Sequence, residues 1–469
     1  VIIASSTSGK SKKKSISEYK VRCFTADFET TVDLDDCRVW AFGICDIDNV
    51  EHFEYGNSIE GFMNWCECNC NCKVYFHNLA FDGAFILDYL EKHAWTWVED
   101  SKYADDRTYT TLISDTNQFY SITLYFSKGR MIHIYDSLKI IPLSIAQMAK
   151  AYNLSIKKGT IDYEMHRPLG HIITEEELDY LRNDVEIAAR VMSTFISEGL
   201  NKITAGSNAL YDYKKMCGGH KGFRRMYPLL SEEEDAFIRK AYRGGFTYVS
   251  PRYAGKEIHE GIVFDVNSLY PSVMASCDNQ VLPYGQPEWF DGEPVKTEER
   301  PLWIALITCI FTLKEKHIPT LQLKGNLRFK PTEYISDSKG ELSFTVTNVD
   351  WELMQKHYDI HNVKWFGGFS FMGSRILIKD YVNKWVRVKN KATIEGNSGK
   401  RQIAKLMLNS LYGKFATRTT VYSRQPVLID NVIHYKDIEP EKREGVYLPV
   451  GVFITSYARY KTITSAQSV

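Results

Sequence analysis

The stretch TADFETT at residues 25–31 decides how the first part of the chain is read. It closes a run, 21–28, that reads as a β-strand, and it sets Asp27 and Glu29 two residues apart. Side chains alternate along a strand, so positions i and i+2 share a face. Two carboxylates on one face repel each other, and a divalent cation removes that penalty. Alone, D-x-E is most often a solvated strand face, so its surroundings carry the argument. Outward from it, 39–46 reads as a second strand, 59–65 as a short helix, 73–76 as a strand and 81–90 as a helix. Thr174 then precedes a run, 175–195, with acids in the first turn and apolar residues at helical spacing. Strands mixed with helices up to about residue 200 predict one α/β domain.

Two more pieces join the acidic pair. In YFHNLAFDGAFI (75–86), Asn78 and Asp82 sit among apolar residues, where polar side chains need partners. Tyr180 and Asp184, at i and i+4, project together from the predicted helix. In this order, D-x-E, Asp82 and Y-x-x-x-D match the pattern of a 3′–5′ exonuclease with four acids and a tyrosine. Two divalent ions held by such acids would activate a water and stabilise the leaving oxygen of a phosphodiester. Tyr180 would orient that water. Lys158, in KKGTIDY (157–163), would neutralise developing phosphate charge.

The 469 residues suggest roughly three domains. Hydrophobic residues at 44% and charged residues at 25% exclude wholesale disorder, a collagen-like repeat and a disulfide miniprotein. Lys+Arg and Asp+Glu both number 58, so net charge does not argue for nucleic-acid binding and a site must. Aromatics at 13% serve base stacking and a large core equally. No stretch approaches the ~20 apolar residues of a membrane span; the longest, 304–313, reads as a buried strand. Ten cysteines in so long a chain do not suggest a disulfide framework, and a cytoplasmic location is the default expectation. Residues 4–17 are small, polar and basic and read as a disordered tail, with order beginning near Tyr19.

The second half carries a different constellation. A helix is predicted at 232–242, followed by GIVFDV (261–266), an apolar strand ending at Asp265 and running into NSLYPSVM. The region 277–376 reads as short strands and turns, 379–389 and 400–412 as a helix pair, and the remainder, ending VGVFITSYARYKTITSAQSV, as strand-like. On the second helix, 100° per residue puts Arg401, Lys405, Asn409 and Tyr412 within about 80° of one another. A solvated helix face usually mixes Glu with Lys. This one is purely cationic and hydrogen-bonding, which suits a triphosphate with a base stacked nearby.

DVNSLYP (265–271) resembles motif A, and KLMLNSLYGK (405–414) motif B, of the family B DNA polymerases. YRGG (242–245) and TSYAR (455–459) resemble motifs of its protein-primed, phi-29-like phage branch, and the resemblance runs from about 20 to 469. It implies an α/β plus α+β multidomain chain: a tail at 1–18, an RNase H-like 3′–5′ exonuclease domain at 19–204, and palm at 205–276. A first inserted region at 277–376, fingers at 377–411, a second insert at 412–446 and an incomplete second part of the palm at 447–469 would follow. It also implies roles. Asp27, Glu29, Asp82 and Asp184 would bind the exonuclease metals, with Tyr180 and Lys158 catalytic. His77, Asn78, Phe81, Ser137 and Leu138 would hold a single-stranded 3′ end. Asp265 and the Val266 carbonyl would bind the polymerase metals, and Ser268, Leu269, Tyr270, Lys389, Lys405, Asn409, Ser410 and Tyr412 would bind the nucleotide. Within that set Tyr270 would reject a 2′-hydroxyl. Tyr242, Arg243, Gly244 and Gly245 would contact template, and Thr455 and Arg459 the primer–template backbone. The implied activity is DNA-directed DNA synthesis with proofreading, on primer–template and single-stranded DNA with dNTPs. Two Mg²⁺ (or Mn²⁺) per active site, a terminal protein as primer, no membrane, a monomer and the host cytoplasm complete the expectation.

Two features depart from that pattern. Motif C, Y-x-D-T-D, and the thumb are expected after residue 469, and no D-T-D occurs in the chain. The sequence is therefore read as C-terminally truncated: it should digest single-stranded DNA and fail at primer extension. Cys66, Cys68, Cys70 and Cys72 alternate, but four thiols from one short extended run rarely close a tetrahedron, so a local variation is expected rather than zinc. The alternative functions are a free-standing 3′–5′ exonuclease and a catalytically dead DNA-binding protein; the intact acids argue against the latter.

Overall fold

The computed structural model describes residues 21–33, 35–263, 265–266, 268–322 and 334–468. The expected tail at 1–18 lies outside them. The first unit is an eight-stranded sheet in the order β3-β2-β1-β4-β8-β7-β6-β5. Its strands are β1 (Cys23–Thr30), β2 (Val39–Asp46), β3 (Phe53–Gly56), β4 (Cys72–Phe76), β5 (Thr96–Trp97), β6 (Thr108–Ile113), β7 (Phe119–Phe126) and β8 (Arg130–Asp136). β1, β4 and β8 run parallel at the centre, and antiparallel strands lie to either side. The helices are α1 (Ile59–Cys68), α2 (Leu79–Lys92), α3 (Ile145–Ala151) and α4 (Glu175–Ser197).

Alternation along β1 sorts its side chains by destination. Phe24, Ala26 and Phe28 join the buried cluster that includes Phe62, Trp65, Leu79 and Ile86 of α1 and α2. The opposite face meets α4, where the Thr25 hydroxyl donates to the Val185 carbonyl at 2.7 Å. Asp27 and Glu29 share that face. α4 starts where the sequence says: Thr174 and Glu177 form a complete capping box. The helix then lies so close to β2 that a Cβ on Gly43 would sit 2.8 Å from Leu181 Cγ.

The second half adds the helices α5 (Ala205–Met216), α6 (Gly219–Met226), α7 (Glu232–Arg239) and α8 (Leu269–Met274). A four-stranded antiparallel sheet, β11-β10-β12-β9, comprises β9 (Leu282–Phe290), β10 (Leu302–Leu313), β11 (Leu342–Thr347) and β12 (Tyr358–Ser374), with α9 (Asn348–His357) packed on it. Next come α10 (Lys379–Ile394) and α11 (Ser398–Phe415) as an adjacent pair. Four short strands follow: β13 (Thr420–Val421), β14 (Arg424–Ile429), β15 (Val432–Asp437) and β16 (Glu441–Lys442). The β14–β15 hairpin rests on the first unit, with Tyr435 edge-on to Phe119 at 5.7 Å and Arg424 donating to the Asn117 side chain at 2.8 Å. One buried core joins the halves, running from Val185 and Val191 on α4 to Ile403 and Met407 on α11.

Three expectations need correction. The region 277–376 is not a set of short strands: β10 has 12 residues and β12 has 17, with register shifts that carry the Gly367–Gly368 step inside the strand. The described residues of GIVFDV form no strand. Among the described residues nothing pairs with it, and Ile262 and Val263 stand 81% and 95% exposed. The strand-like ending is instead a 20-residue helix, α12 (Leu448–Gln467). Its β-branched residues imitate a strand, and neighbours on several sides bury Val450, Val452, Phe453, Ile454 and Ser456, which erases any amphipathic period. Pro449 in its first turn was the overlooked start signal.

Gly43→Ala should lower stability by about 1–3 kcal/mol, because Leu181 Cγ is held inside the core and the helix itself must shift. Chemical denaturation checks this; an unchanged midpoint would show that α4 yields freely.

Candidate functional sites

The first site lies between β1, α2 and α4. Glu29, Asp82 and Asp184 are buried and Asp27 is half-buried. Burial pushes the Asp27 carboxyl up and Asp184 adds to it, against Lys158 and the Phe28 amide. Glu29 is raised by burial, then by Asp27 and Asp184, and Asp82 by burial and Asp27. The four acids therefore form one electrostatic cluster. Protein donors hold parts of it: Lys158 Nζ donates to Asp184 Oδ2 at 2.5 Å, and the Phe28 N–H to Asp82 Oδ1 at 3.1 Å. Among the described residues no three Asp, Glu, His or Cys groups stand in metal-ligating geometry. The donor set nonetheless suits a divalent cation: mutually raised carboxyls, and a buried Asp184 Oδ1 without a hydrogen-bond partner. Tyr180 lies in the same site, and its hydroxyl meets that of Tyr163 at 2.6 Å. Tyr163 belongs to no pattern visible in the sequence.

The segments assigned to a single-stranded end are joined by a residue that sequence reasoning missed. Asp136 Oδ1 accepts from the backbone N–H of Asn78 (3.1 Å) and of Leu138 (2.9 Å). An Asp at a strand end before Ser-Leu is a turn-capping signal that could have revealed it. Asn78 takes the left-handed conformation, φ 74°, and its side chain is exposed. His77 faces the buried Ser137 hydroxyl at 2.9 Å and donates through Nε2 to the Leu143 carbonyl at 2.7 Å, so its ring is a fixed brace. Phe81 presents an exposed ring edge-on to Phe85. The four alternating cysteines do not share an extended run. Cys66 and Cys68 end α1, Cys70 lies in the connection and Cys72 starts β4; among the described residues no cysteine is in a disulfide.

The second site is a cavity of about 600 Å³ lined by Asp265, Val266, Ser268, Leu269, Tyr270, Pro271, Lys389, Arg401, Lys405, Leu408, Asn409 and Tyr412. Residues from the 265–271 turn, α10 and α11 converge there, and the face projected on α11 is the face that lines it. Tyr270 and Tyr412 stack at 4.2 Å and 5°. A Cβ on Gly245 would lie 2.7 Å from the Tyr270 hydroxyl, so the YRGG loop abuts the cavity. Ser410 departs from its expectation: it does not line the cavity, and its carbonyl lies against Gly206.

The expected DNA contacts of Arg243, Thr455 and Arg459 also need correction, since all three are buried. Arg459 pairs with Asp350 through Nε (3.2 Å) and Nη2 (2.7 Å), and its Nη1 donates to the carbonyls of Arg243 (2.7 Å) and Gly244 (2.8 Å). Arg243 donates to the carbonyls of Gln322, Ala241 and Thr345. The Thr455 hydroxyl bonds back to Gly451 and Val452 within α12. α12, a helix enclosed by its neighbours, turns Thr455 and Arg459 inward, and Arg459 in turn holds the loop that carries Arg243.

The structure holds an acidic cluster on a mixed α/β sheet and, in its second half, a cationic helix face over a tyrosine-lined cavity, features that suit phosphate chemistry. A family model, DNA polymerase type B, organellar and viral, matches residues 67–172 and 165–469. The chain is 46% identical over 453 residues to the DNA polymerase of Bacillus phage M2 and 44% identical to that of Bacillus phage phi29, covering 95% of this chain and 77% of each relative. The DNA polymerase of Streptococcus phage Cp-1 is 32% identical over 467 residues. The structure superposes on phi29 DNA polymerase complexed with primer-template DNA with a TM-score of 0.89 and 41% identity, over 96% of this chain and 77% of that one. The chain belongs to the type B DNA polymerases, in their phi29-like phage branch. Its enzyme class is DNA-directed DNA polymerase, a class that depends on divalent metal ions.

Burial pushes the Asp350 carboxyl up, but Arg459 and Arg243 outweigh it and hold it below the usual carboxylate range. The stabilisation is therefore present above an unfolded pKa of about 4 and is lost as pH falls through the lower folded value. Arg459→Met should cost about 3–5 kcal/mol at neutral pH by stranding a buried carboxylate. The gap to the unmodified protein should narrow on acidification, as protonation discharges Asp350. Denaturation series at several pH values test this, and a gap independent of pH would refute it.

Proposed function

We propose that the chain carries a 3′–5′ exonuclease for single-stranded DNA at Asp27, Glu29, Asp82 and Asp184, and a site for template-directed dNTP addition at the cavity above Asp265. The observation that carries the reading is the cavity lining, where Lys389, Arg401 and Lys405 face Asp265 beside the Tyr270–Tyr412 stack. The cations suit the triphosphate, Asn409 offers an amide to polar edges, and the paired rings offer a flat apolar wall to the sugar and base. Tyr270, whose hydroxyl would lie 2.7 Å from a Cβ on Gly245, would exclude a 2′-hydroxyl.

In the exonuclease, Lys158 brings a positive charge among the acids and Tyr180 offers a hydroxyl already bonded to Tyr163. Lys158 would screen charge developing on the scissile phosphate, and Tyr180 would orient the attacking water. Asn78, Phe81 and Leu138, set by Asp136, would receive the single-stranded end. The four acids would hold Mg²⁺ or Mn²⁺, two ions in this centre, and Asp265 with the Val266 carbonyl would hold those of the polymerase centre; such ions supply Lewis-acid activation. Related phi29 DNA polymerase structures contain primer-template DNA, single-stranded DNA and incoming nucleotides, which supports the same substrates here. A terminal protein as primer, a monomeric state and action in the host cytoplasm complete the proposal. The division at 204, 276, 376, 411 and 446 into exonuclease, palm, insert, fingers, insert and palm belongs to the same proposal. Among the described residues no helix is long and apolar enough to cross a membrane.

Asp27→Ala with Glu29→Ala should abolish Mg²⁺-dependent digestion of a labelled single strand, while the Kd for that strand stays nearly constant because other groups contact its phosphates. Normal digestion by the double variant would remove the assignment. Lys405→Ala should weaken dNTP binding by about 1.5–3 kcal/mol, roughly ten- to hundredfold in Kd, as read by calorimetry on the full chain. An unchanged Kd would place the triphosphate elsewhere.

A further inference from the structure

A buried ionic junction stands one turn before Tyr180, outside the acids themselves. Glu177, 5% exposed, takes bonds from four directions on α4's first turn. Its own N–H is capped by Thr174, and Oε2 accepts from the Thr174 N–H at 3.0 Å. Oε1 accepts from Arg167 Nε at 2.8 Å, and Oε2 also from His171 Nε2 at 2.8 Å. Arg167 is equally buried, at 3%. Its remaining nitrogens donate to the carbonyls of Met165 (3.1 Å) and Asp162 (2.9 Å), which folds the 162–167 loop around the guanidinium. The guanidinium lies 4.3 Å from the Trp40 ring centroid on β2, and His171 meets the same ring edge-on at 5.5 Å.

This junction ties two segments together at one point. The clamped loop carries Tyr163, and the capped helix carries Tyr180 three residues beyond Glu177. The hydroxyls of the two tyrosines meet at 2.6 Å. A helical cap alone would need only Thr174 and a Glu or Gln at position 177. The Arg167 contact adds nothing to the cap; it fixes the loop to the helix. Burial pushes the Glu177 carboxyl up, but His171, the Thr174 N–H and Arg167 hold it down at about 2, so its charge persists wherever the enzyme folds.

We propose that Glu177, acting through Arg167, is a positioning residue of the exonuclease: it sets Tyr163 against Tyr180, the tyrosine that would orient the attacking water. The inference rests on the exonuclease reading above. Glu177→Gln keeps the capping box and the shape but removes the charge that holds the guanidinium. Arg167→Lys keeps a buried charge but cannot reach Glu177, Asp162 and Met165 together.

The test is single-turnover digestion of a 3′-labelled single-stranded oligonucleotide by the full chain with Mg²⁺, at a temperature where circular dichroism shows each variant folded. Glu177→Gln and Arg167→Lys should each lower the cleavage rate constant about ten- to hundredfold, with Kd for the strand within about twofold, because misplacement affects reaction and not capture. In a Tyr163→Phe background the Glu177→Gln loss should shrink to about twofold or less, since the effect passes through that hydroxyl. Losses that multiply, a rate constant unchanged in a folded variant, or a fall confined to Kd would each overturn the inference. The Asp27→Ala, Glu29→Ala double variant runs alongside: if it cleaves normally the exonuclease reading fails, whereas if it is inactive and Glu177→Gln is fully active, only the positioning role fails.

Discussion

The second half of the chain is held together at the bidentate contact between Arg459 and Asp350. Asp350 lies in the first turn of α9 beside the four-stranded sheet, where the Thr347 and Ser456 hydroxyls also donate to its carboxylate. Arg459 comes from the middle of α12, and its third nitrogen reaches the carbonyls of the YRGG loop. The four-stranded sheet with α9, the helix α12 and the YRGG loop beside the second cavity thus meet on one desolvated pair. Such a pair is strong only while every proton and lone pair is matched. Here the guanidinium spends itself on the carboxylate, two carbonyls and a hydroxyl. The position of Tyr270 inherits that constraint, because Gly245 follows directly after the anchored residues and a Cβ there would lie 2.7 Å from its hydroxyl.

The first half rests on the opposite situation, an accumulation of like charge that the protein only partly relieves. Four carboxyls crowd one site between β1, α2 and α4, Lys158 answers one of them, and a backbone amide answers another. Burial and mutual repulsion favour their neutral forms. An arrangement so unfavourable by itself persists because the surrounding sheet and α4 fix the backbone, with Thr25 bonded across to Val185 between them. The excess is the affinity available to cations of charge two.

Much of this was written locally in the sequence. D-x-E on an alternating strand, Tyr180 with Asp184 one turn apart, the Thr174 cap and the single-sided face Arg401–Lys405–Asn409–Tyr412 all rest on short-range periodicity, and the structure keeps each of these geometries. What escaped depends on tertiary surroundings. α12 looked like strands because a helix enclosed by neighbours has no polar stripe to betray its period. The apolar run before Asp265 looked like a strand because its composition suits a sheet, yet pairing needs a partner that the described residues do not provide. Arg459 and Arg243 looked like phosphate ligands because an Arg in a motif says nothing about which way its helix or loop is turned. Asp136 and Tyr163 act through single contacts across the fold, and no spacing rule encodes those.

The β14–β15 hairpin has a consequence in time. Arg424 and Asn117 are 307 residues apart in sequence, and the Tyr435–Phe119 contact spans a similar distance. At synthesis rates of about 5–20 residues per second, the sheet that carries Phe119 leaves the ribosome about 15–60 s before the hairpin that covers it. The cluster around Phe62, Ile86 and Ile122 is built from residues that have all emerged by then, so this side of the sheet can close early. The edge at Phe119 cannot. During that interval the nascent chain carries an apolar ring at its rim whose cover is still being translated, and the docking of Tyr435 is an event that only a chain grown past residue 435 can perform.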